Sequence, residues 1–125
     1  MTETRIKTLI GLALSGALLS PLPASAVSIP SKDAIRHIGE TVSVTGRARL
    51  TFMRSGEVYI DLDGQGENAP FAGYVSRWNR ITFQNLPALD GKMVRITGQV
   101  ATFRDQPQIF LRDASQISVK NGPAD

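Results

Sequence analysis

Six side chains of this sequence form a set that suits a flat-ringed polyanion: Arg47, Arg49, Arg54, Tyr59, Tyr74 and Arg104. Arginine pairs with phosphate or lies flat on a base, and tyrosine offers a ring on which a base stacks. Together they fit single-stranded nucleic acid. Arg47 and Arg49 share one parity of an extended strand, about 6–7 Å apart, close to the spacing of successive phosphates. Asp61, Asp63 and Asp105 lie on or near the same surface and oppose this, because carboxylates repel phosphates. An ordinary solvated sheet face with incidental Tyr and Arg accounts for the same residues, so both readings stay open. Trp78 and Phe110 fit either one, although Trp78 is better placed to cover the mouth of a barrel.

Catalytic chemistry is poorly served. The chain has one histidine, His37, and no cysteine. No strand–Ser–helix elbow is present to build a nucleophile around it. Asp61-x-Asp63-x-Gln65-Gly66 opens like a calcium loop, with carboxylates at its first and third positions. The bidentate glutamate needed at the twelfth position is missing, and Ala72 stands there. The expectation is a surface loop with two aspartates, no metal, no cofactor and no enzymatic activity.

The 125 residues bound a single domain, and residues 1–26 read as a secretory signal. Arg5 and Lys7 charge the start, Leu9–Leu19 is apolar apart from Ser15, and Ala24-Ser25-Ala26 is an A-x-A cleavage site. Spanning a bilayer takes roughly 20 apolar residues, so this run is too short to be an anchor. The mature chain, Val27–Asp125, is expected in the periplasm or outside the cell, with no membrane span. Losing Arg5, Lys7 and Glu3 from 14 basic and 11 acidic residues leaves 12 and 10, a mild positive balance. With no cysteine to form disulfides, the exported domain must hold together by packing and β hydrogen bonds.

Two stretches position the candidate face and nearly rhyme: IGETVSVTGRARLTF at 38–52 and LDGKMVRITGQVATF at 89–103. In each, a glycine (Gly39, Gly91) precedes a second glycine (Gly46, Gly98) with an alternating apolar strand between them. Period-2 alternation marks a strand with one wet face, and the inner glycine suits a bulge or bend. A short helix capped by Ser31 is expected over 31–38, ended by Gly39. Strand one then covers Thr41–Phe52, with Val42, Val44, Ala48, Leu50 and Phe52 inward and Ser43, Thr45, Arg47, Arg49 and Thr51 outward. A turn at 54–57 leads to strand two, Val58–Asp63, with Tyr59, Asp61 and Asp63 outward. Strand three, Phe71–Val75, follows a loop. Ser76–Leu89 is read as a connecting segment with a short helix plugging one barrel end. Strand four is Lys92–Phe103, and strand five is Gln108–Arg112 with Pro107 at its start. Ile117 and Val119 close the chain before a frayed tail at 121–125.

Five strands with a connection between the third and fourth match a small all-β OB-fold barrel, core about 39–119. The sequence resembles bacterial exported OB-fold domains of the nucleic-acid-binding anticodon-type family. The resemblance is carried by Gly39-x-x-Val42-x-Val44-x-Gly46, Val58-Tyr59-Ile60-Asp61-Leu62 and Phe71-Ala72-Gly73-Tyr74-Val75. It continues through Leu89-Asp90-Gly91-Lys92-x-Val94-x-Ile96-x-Gly98-x-Val100, Gln106-Pro107-Gln108-Ile109 and Ala114-Ser115-Gln116-Ile117. It implies an oligonucleotide site on the strand-two/strand-three face and its flanking loops. The reading is therefore an exported module for single-stranded nucleic acid. The alternative is a periplasmic module that docks a protein or an envelope component.

Overall fold

A computed structural model of the chain describes residues 26–120. The stretch read as a signal peptide, apart from Ala26, and the 121–125 tail lie outside the described residues. Eight strands are present: β1 Ser28–Pro30, β2 Thr41–Phe52, β3 Val58–Leu62, β4 Phe71–Val75, β5 Met93–Gln99, β6 Ala101–Phe103, β7 Gln106–Phe110 and β8 Ile117–Val119. They pair in the order β6-β7-β4-β3-β2-β5-β8, with β1 added in parallel to β2. The expected five-stranded closed barrel is thus corrected to an open path of more, shorter strands. Strand four divides at Val100, whose N–H and C=O bond the Glu40 carbonyl and the Gly39 N–H instead of continuing the ladder. Ile117 and Val119 form an additional strand on β5, a pairing that local alternation does not reveal.

The rhyming stretches form one antiparallel pair, β2 against β5, with Val42 opposite Gly98, Val44 opposite Ile96 and Gly46 opposite Val94. Each copy's inner glycine therefore faces a valine of the other copy. The outer glycines also match: Gly39 and Gly91 sit at φ +87 and +81, and their N–H groups donate to Val100 and Ala48 at 2.7 Å each. The inner glycines are needed for closeness rather than for a left-handed backbone. A Cβ on Gly46 would stand 2.5 Å from an Asp63 carboxylate oxygen, and one on Gly98 would stand 2.6 Å from Ile109. The corner expected at Gly46 is present. There β2 changes partner, pairing β5 through Arg47 and β3 from Ala48 onward.

The core lies between the inward faces. Val44, Ala48, Val58, Ile60, Leu62, Phe71, Val75, Val94, Ile96 and Ile109 are fully buried, as the alternation implied. Full burial of each larger side chain stabilises by about 1.5–3 kcal/mol. Phe52 departs from the expectation: it sits at the overhanging end of β2 and is 40% exposed. Ser43, assigned outward, is buried: it is flanked in the sheet by β1 on one side and β5 on the other, and its hydroxyl and that of Thr97 hydrogen-bond across the ladder at 2.6 Å. Pro107 lies inside β7 rather than before it. Phe103–Gln106 closes the β6–β7 turn, so Thr102–Pro107 is the pair that exchanges no hydrogen bonds and the missing N–H costs nothing.

The segment over 31–37 is a 3-10 helix with Pro30 at its N-cap, not a helix capped by Ser31. The Ser31 hydroxyl instead donates to Asp63. The connection from Ser76 to Leu89 holds two short 3-10 turns, Arg80–Thr82 and Leu86–Leu89. Phe83 and Leu86 join the core from it, whereas Trp78 is 75% exposed and covers no barrel mouth.

Candidate nucleic-acid interface

The outward sides of β2, β3, β4 and β7 form one surface, and the register fixes its rows. One row runs Thr51–Tyr59–Tyr74–Phe110 and the next runs Arg49–Asp61–Ala72–Gln108. Directly opposed residues on neighbouring strands bring their side chains together. The three rings accordingly form a ladder with centroids 5.2 Å apart at each step and planes tilted by 55° and 50°. The Arg112 guanidinium lies 5.8 Å from the Phe110 centroid and extends the ladder with a cation. Desolvation first, then the nearby Glu57 charge, pushes the Tyr74 hydroxyl above the usual tyrosine range.

The arginines are spread more widely than the alternation implies. Arg47 and Arg49 both point outward and are exposed. Arg47, however, reaches toward β5, where its Nη1 donates to the Gly91 carbonyl at 2.8 Å. It lies four residues from Thr51, about 13 Å from the tyrosine row along the strand. Arg49 is one row from the rings. Arg54 is exposed in the β2–β3 turn, and Arg104 sits in the β6–β7 turn at the other end of the sheet. Arg104 and Asp105 have φ of +53 and +66, the two left-handed residues of a tight hairpin turn. The Arg104 guanidinium lies 5.1 Å from the Phe103 centroid.

Between this turn and the Gly66–Pro70 loop lies a groove of about 760 Å³ edged by Tyr59, Asp61, Phe103, Arg104, Gln106 and Gln108. The loop folds over the sheet because Gly66 N–H donates to Asp61 at 2.8 Å and the Gln106 amide donates to the Gly66 and Ala69 carbonyls. Asp61, expected as an exposed repulsive charge, is in consequence only 4% exposed. Burial raises its carboxyl above the ordinary aspartate value, and the Gly66 N–H partly offsets this. The aspartates do not converge. Asp63, at φ +61, takes the Arg47 N–H on one oxygen and the Ser31 hydroxyl on the other. Among the described residues, no three His, Cys, Asp or Glu side chains gather as a metal site would require. His37 bonds Glu40 at 2.8 Å, away from this face.

The structure thus joins Tyr59 and Tyr74 and places Arg49 beside them, while Arg47, Arg54 and Arg104 stand at the periphery. Phe110, Gln106 and Gln108 were not assigned to the site from the sequence. Their shared parity was the available cue, but only the parallel β4–β7 pairing sets Phe110 against Tyr74.

No protein-family model and no curated protein matches the chain. Solved structures do resemble it. A protein assigned as an aspartyl-tRNA synthetase, from Leishmania major Friedlin, superposes with a TM-score of 0.51 at 11% identity. The match covers 82% of this chain and 22% of that one, so the chain corresponds to less than a quarter of the synthetase. A chain of the S. pombe Stn1-Ten1 complex matches at a TM-score of 0.46 and 12% identity over 83% of this chain and 86% of that one, too loosely to carry an argument. At these identities the likeness concerns the fold alone: this is an OB-like β module.

Proposed function

We propose that the chain is an exported OB-fold module that binds single-stranded nucleic acid through the outward face of β2, β3, β4 and β7. The observation that carries the reading is the Tyr59–Tyr74–Phe110 ladder, three rings in a row with Arg112 at the Phe110 end and Arg49 one row away. Bases stack on such rings irrespective of sequence, at about 1–3 kcal/mol each. Arg49 and Arg112 pair with phosphates on either side, and Arg54 and Arg104 meet the strand where it leaves the sheet. The synthetase's name links a similar fold to a tRNA-handling protein, which is support by analogy. The proposal includes no catalytic step.

With about three or four phosphates neutralised, affinity for oligo-dT falls with salt at a log–log slope on the order of −2 to −3. Fluorescence anisotropy at low and moderate salt measures it. No binding of the folded protein at low salt would remove the nucleic-acid reading. The second reading, docking of a protein or envelope component, draws on the carboxylates of Glu67 and Asp105 around the groove.

A further inference from the structure

The connection between β4 and β5 divides its apolar residues sharply. Phe83 and Leu86 enter the core, while Trp78 and Ile81 are 75% and 86% exposed, more than any other large apolar side chain among the described residues. The opposing end of β2 adds Phe52, 40% exposed. The two segments form one surface. The Arg80 guanidinium lies 5.1 Å from the Phe52 centroid and donates weakly to the Gly56 carbonyl at 3.5 Å, and Arg77 packs on Gly56 closely enough to exclude a Cβ there. Isolated exposed apolar residues are ordinary, but Trp78, Ile81 and Phe52 exposed at one end of a small domain mark a contact surface.

The charge of this surface selects the partner. Ser76–Leu89 contains Arg77 and Arg80 and no carboxylate, and Arg54 stands in the facing turn. The one acid among these residues, Glu57, accepts the Ser55 hydroxyl at 2.8 Å. Arg77 lies 4.5 Å from the Trp78 centroid, so cation and indole are presented together. The loop is also self-contained: Asn79 N–H donates to Ser76, and the Thr82 and Phe83 N–H groups donate to Asn79 and Arg80. It can therefore enter a less polar layer without stranding these backbone groups.

We infer that this end of the molecule is a contact tip for an anionic lipid surface, with Trp78 and Ile81 in the interfacial layer and Arg54, Arg77 and Arg80 against the headgroups. Tryptophan favours that layer because its ring is apolar and its N–H is polar, and arginines beside an anionic leaflet add electrostatic attraction. Two apolar side chains and three cations give weak, reversible attachment rather than anchoring.

Trp78 is the sole tryptophan of the chain, so its emission reports on this site directly. The full chain is titrated with vesicles of phosphatidylcholine alone and of phosphatidylcholine with phosphatidylglycerol, with brominated lipid as quencher. The expected result is a blue shift and bromolipid quenching on the anionic vesicles only. The Arg77→Glu/Arg80→Glu pair should weaken the transition roughly tenfold or more, given about 1 kcal/mol per basic residue at such a surface. Ile81→Ser, a change at an exposed position, should weaken it while leaving the melting temperature unchanged. Arg5 and Lys7 would also draw the apolar start of the chain to anionic vesicles. The variants at Arg77, Arg80 and Ile81 leave that start untouched and so separate the two: a transition unchanged in all of them would overturn the inference. Equal shifts on both vesicle types, or none on either, would overturn the inference. So would a shift produced by oligo-dT and not by vesicles, which would assign the tip to the nucleic-acid face.

Discussion

At the scale of single residues, the face separates into groups that stack and groups that pair. Tyr74 is the middle ring, in contact with Tyr59 on one side and Phe110 on the other. Tyr74→Ala should cost about 1–3 kcal/mol in oligonucleotide affinity with little change in salt slope, because stacking releases no counterions. Arg49→Ala should flatten the slope by somewhat under one unit. Arg47→Ala should change it less, since the Arg47 guanidinium is already committed to the Gly91 carbonyl. Anisotropy titrations of the three variants decide this, and a slope altered only in Arg47→Ala would contradict the assignment.

Asp61 offers a separate test through stability. Its folded-state carboxyl titrates above the ordinary aspartate value of 3.8 because it is buried. Its contribution is therefore fully present below about pH 3.8 and is lost as pH rises through the folded value. Asp61→Asn removes that titration while keeping an oxygen for the Gly66 N–H. Melting temperatures from pH 3 to pH 7 should show the variant gaining on the wild type as pH rises. A constant difference across that range would mean that Asp61 ionises in the fold as it does in the unfolded chain.

Elements are the scale at which the glycines matter. Gly46 admits the Asp63 carboxylate beside the corner of β2, and Gly98 admits Ile109 against β5. Gly98→Ala forces a Cβ onto a buried side chain and should destabilise by about 1–3 kcal/mol, the usual cost of overpacking. Gly39→Ala and Gly91→Ala meet no neighbour within 4 Å but must hold positive φ, which costs about 1–2 kcal/mol. Urea melts of the variants check both. Wild-type stability in Gly98→Ala would show that the β5–β7 contact gives way freely.

For the whole molecule, export is the proposal with the simplest readout. The charged start, the apolar run and Ala24-Ser25-Ala26 place cleavage after Ala26. Amino-terminal sequencing of protein from a periplasmic extract should begin at Val27, and an intact Met1 in the membrane fraction would contradict it. Among the described residues, no helix is long and apolar enough to cross a membrane. Lipid contact through Trp78 and Ile81 would add a surface address to that location, with the aromatic face on the adjoining end of the same sheet.

Much of this was legible without coordinates, and for a local reason. A strand's side chains alternate between its two faces, so the parity of Val58, Ile60 and Leu62 against Tyr59 and Asp61 could be read from residue types alone. The turn at 54–57 and the rhyme of the two glycine-bounded strands follow from equally local patterns. Alternation assigns a side, but it cannot say what lies over that side. Tertiary structure therefore decided that Asp61 is roofed by the Gly66 loop, that Ser43 is buried between β1 and β5 and that Phe52 is exposed at the end of β2. It also decided which apolar residues of Ser76–Leu89 go inward, since that segment has no period from which to read them. The candidate site rests on the same distinction. Its tyrosines were visible as outward residues, but Phe110 completes the ladder only because β7 pairs in parallel with β4, a contact made across more than thirty residues of intervening chain.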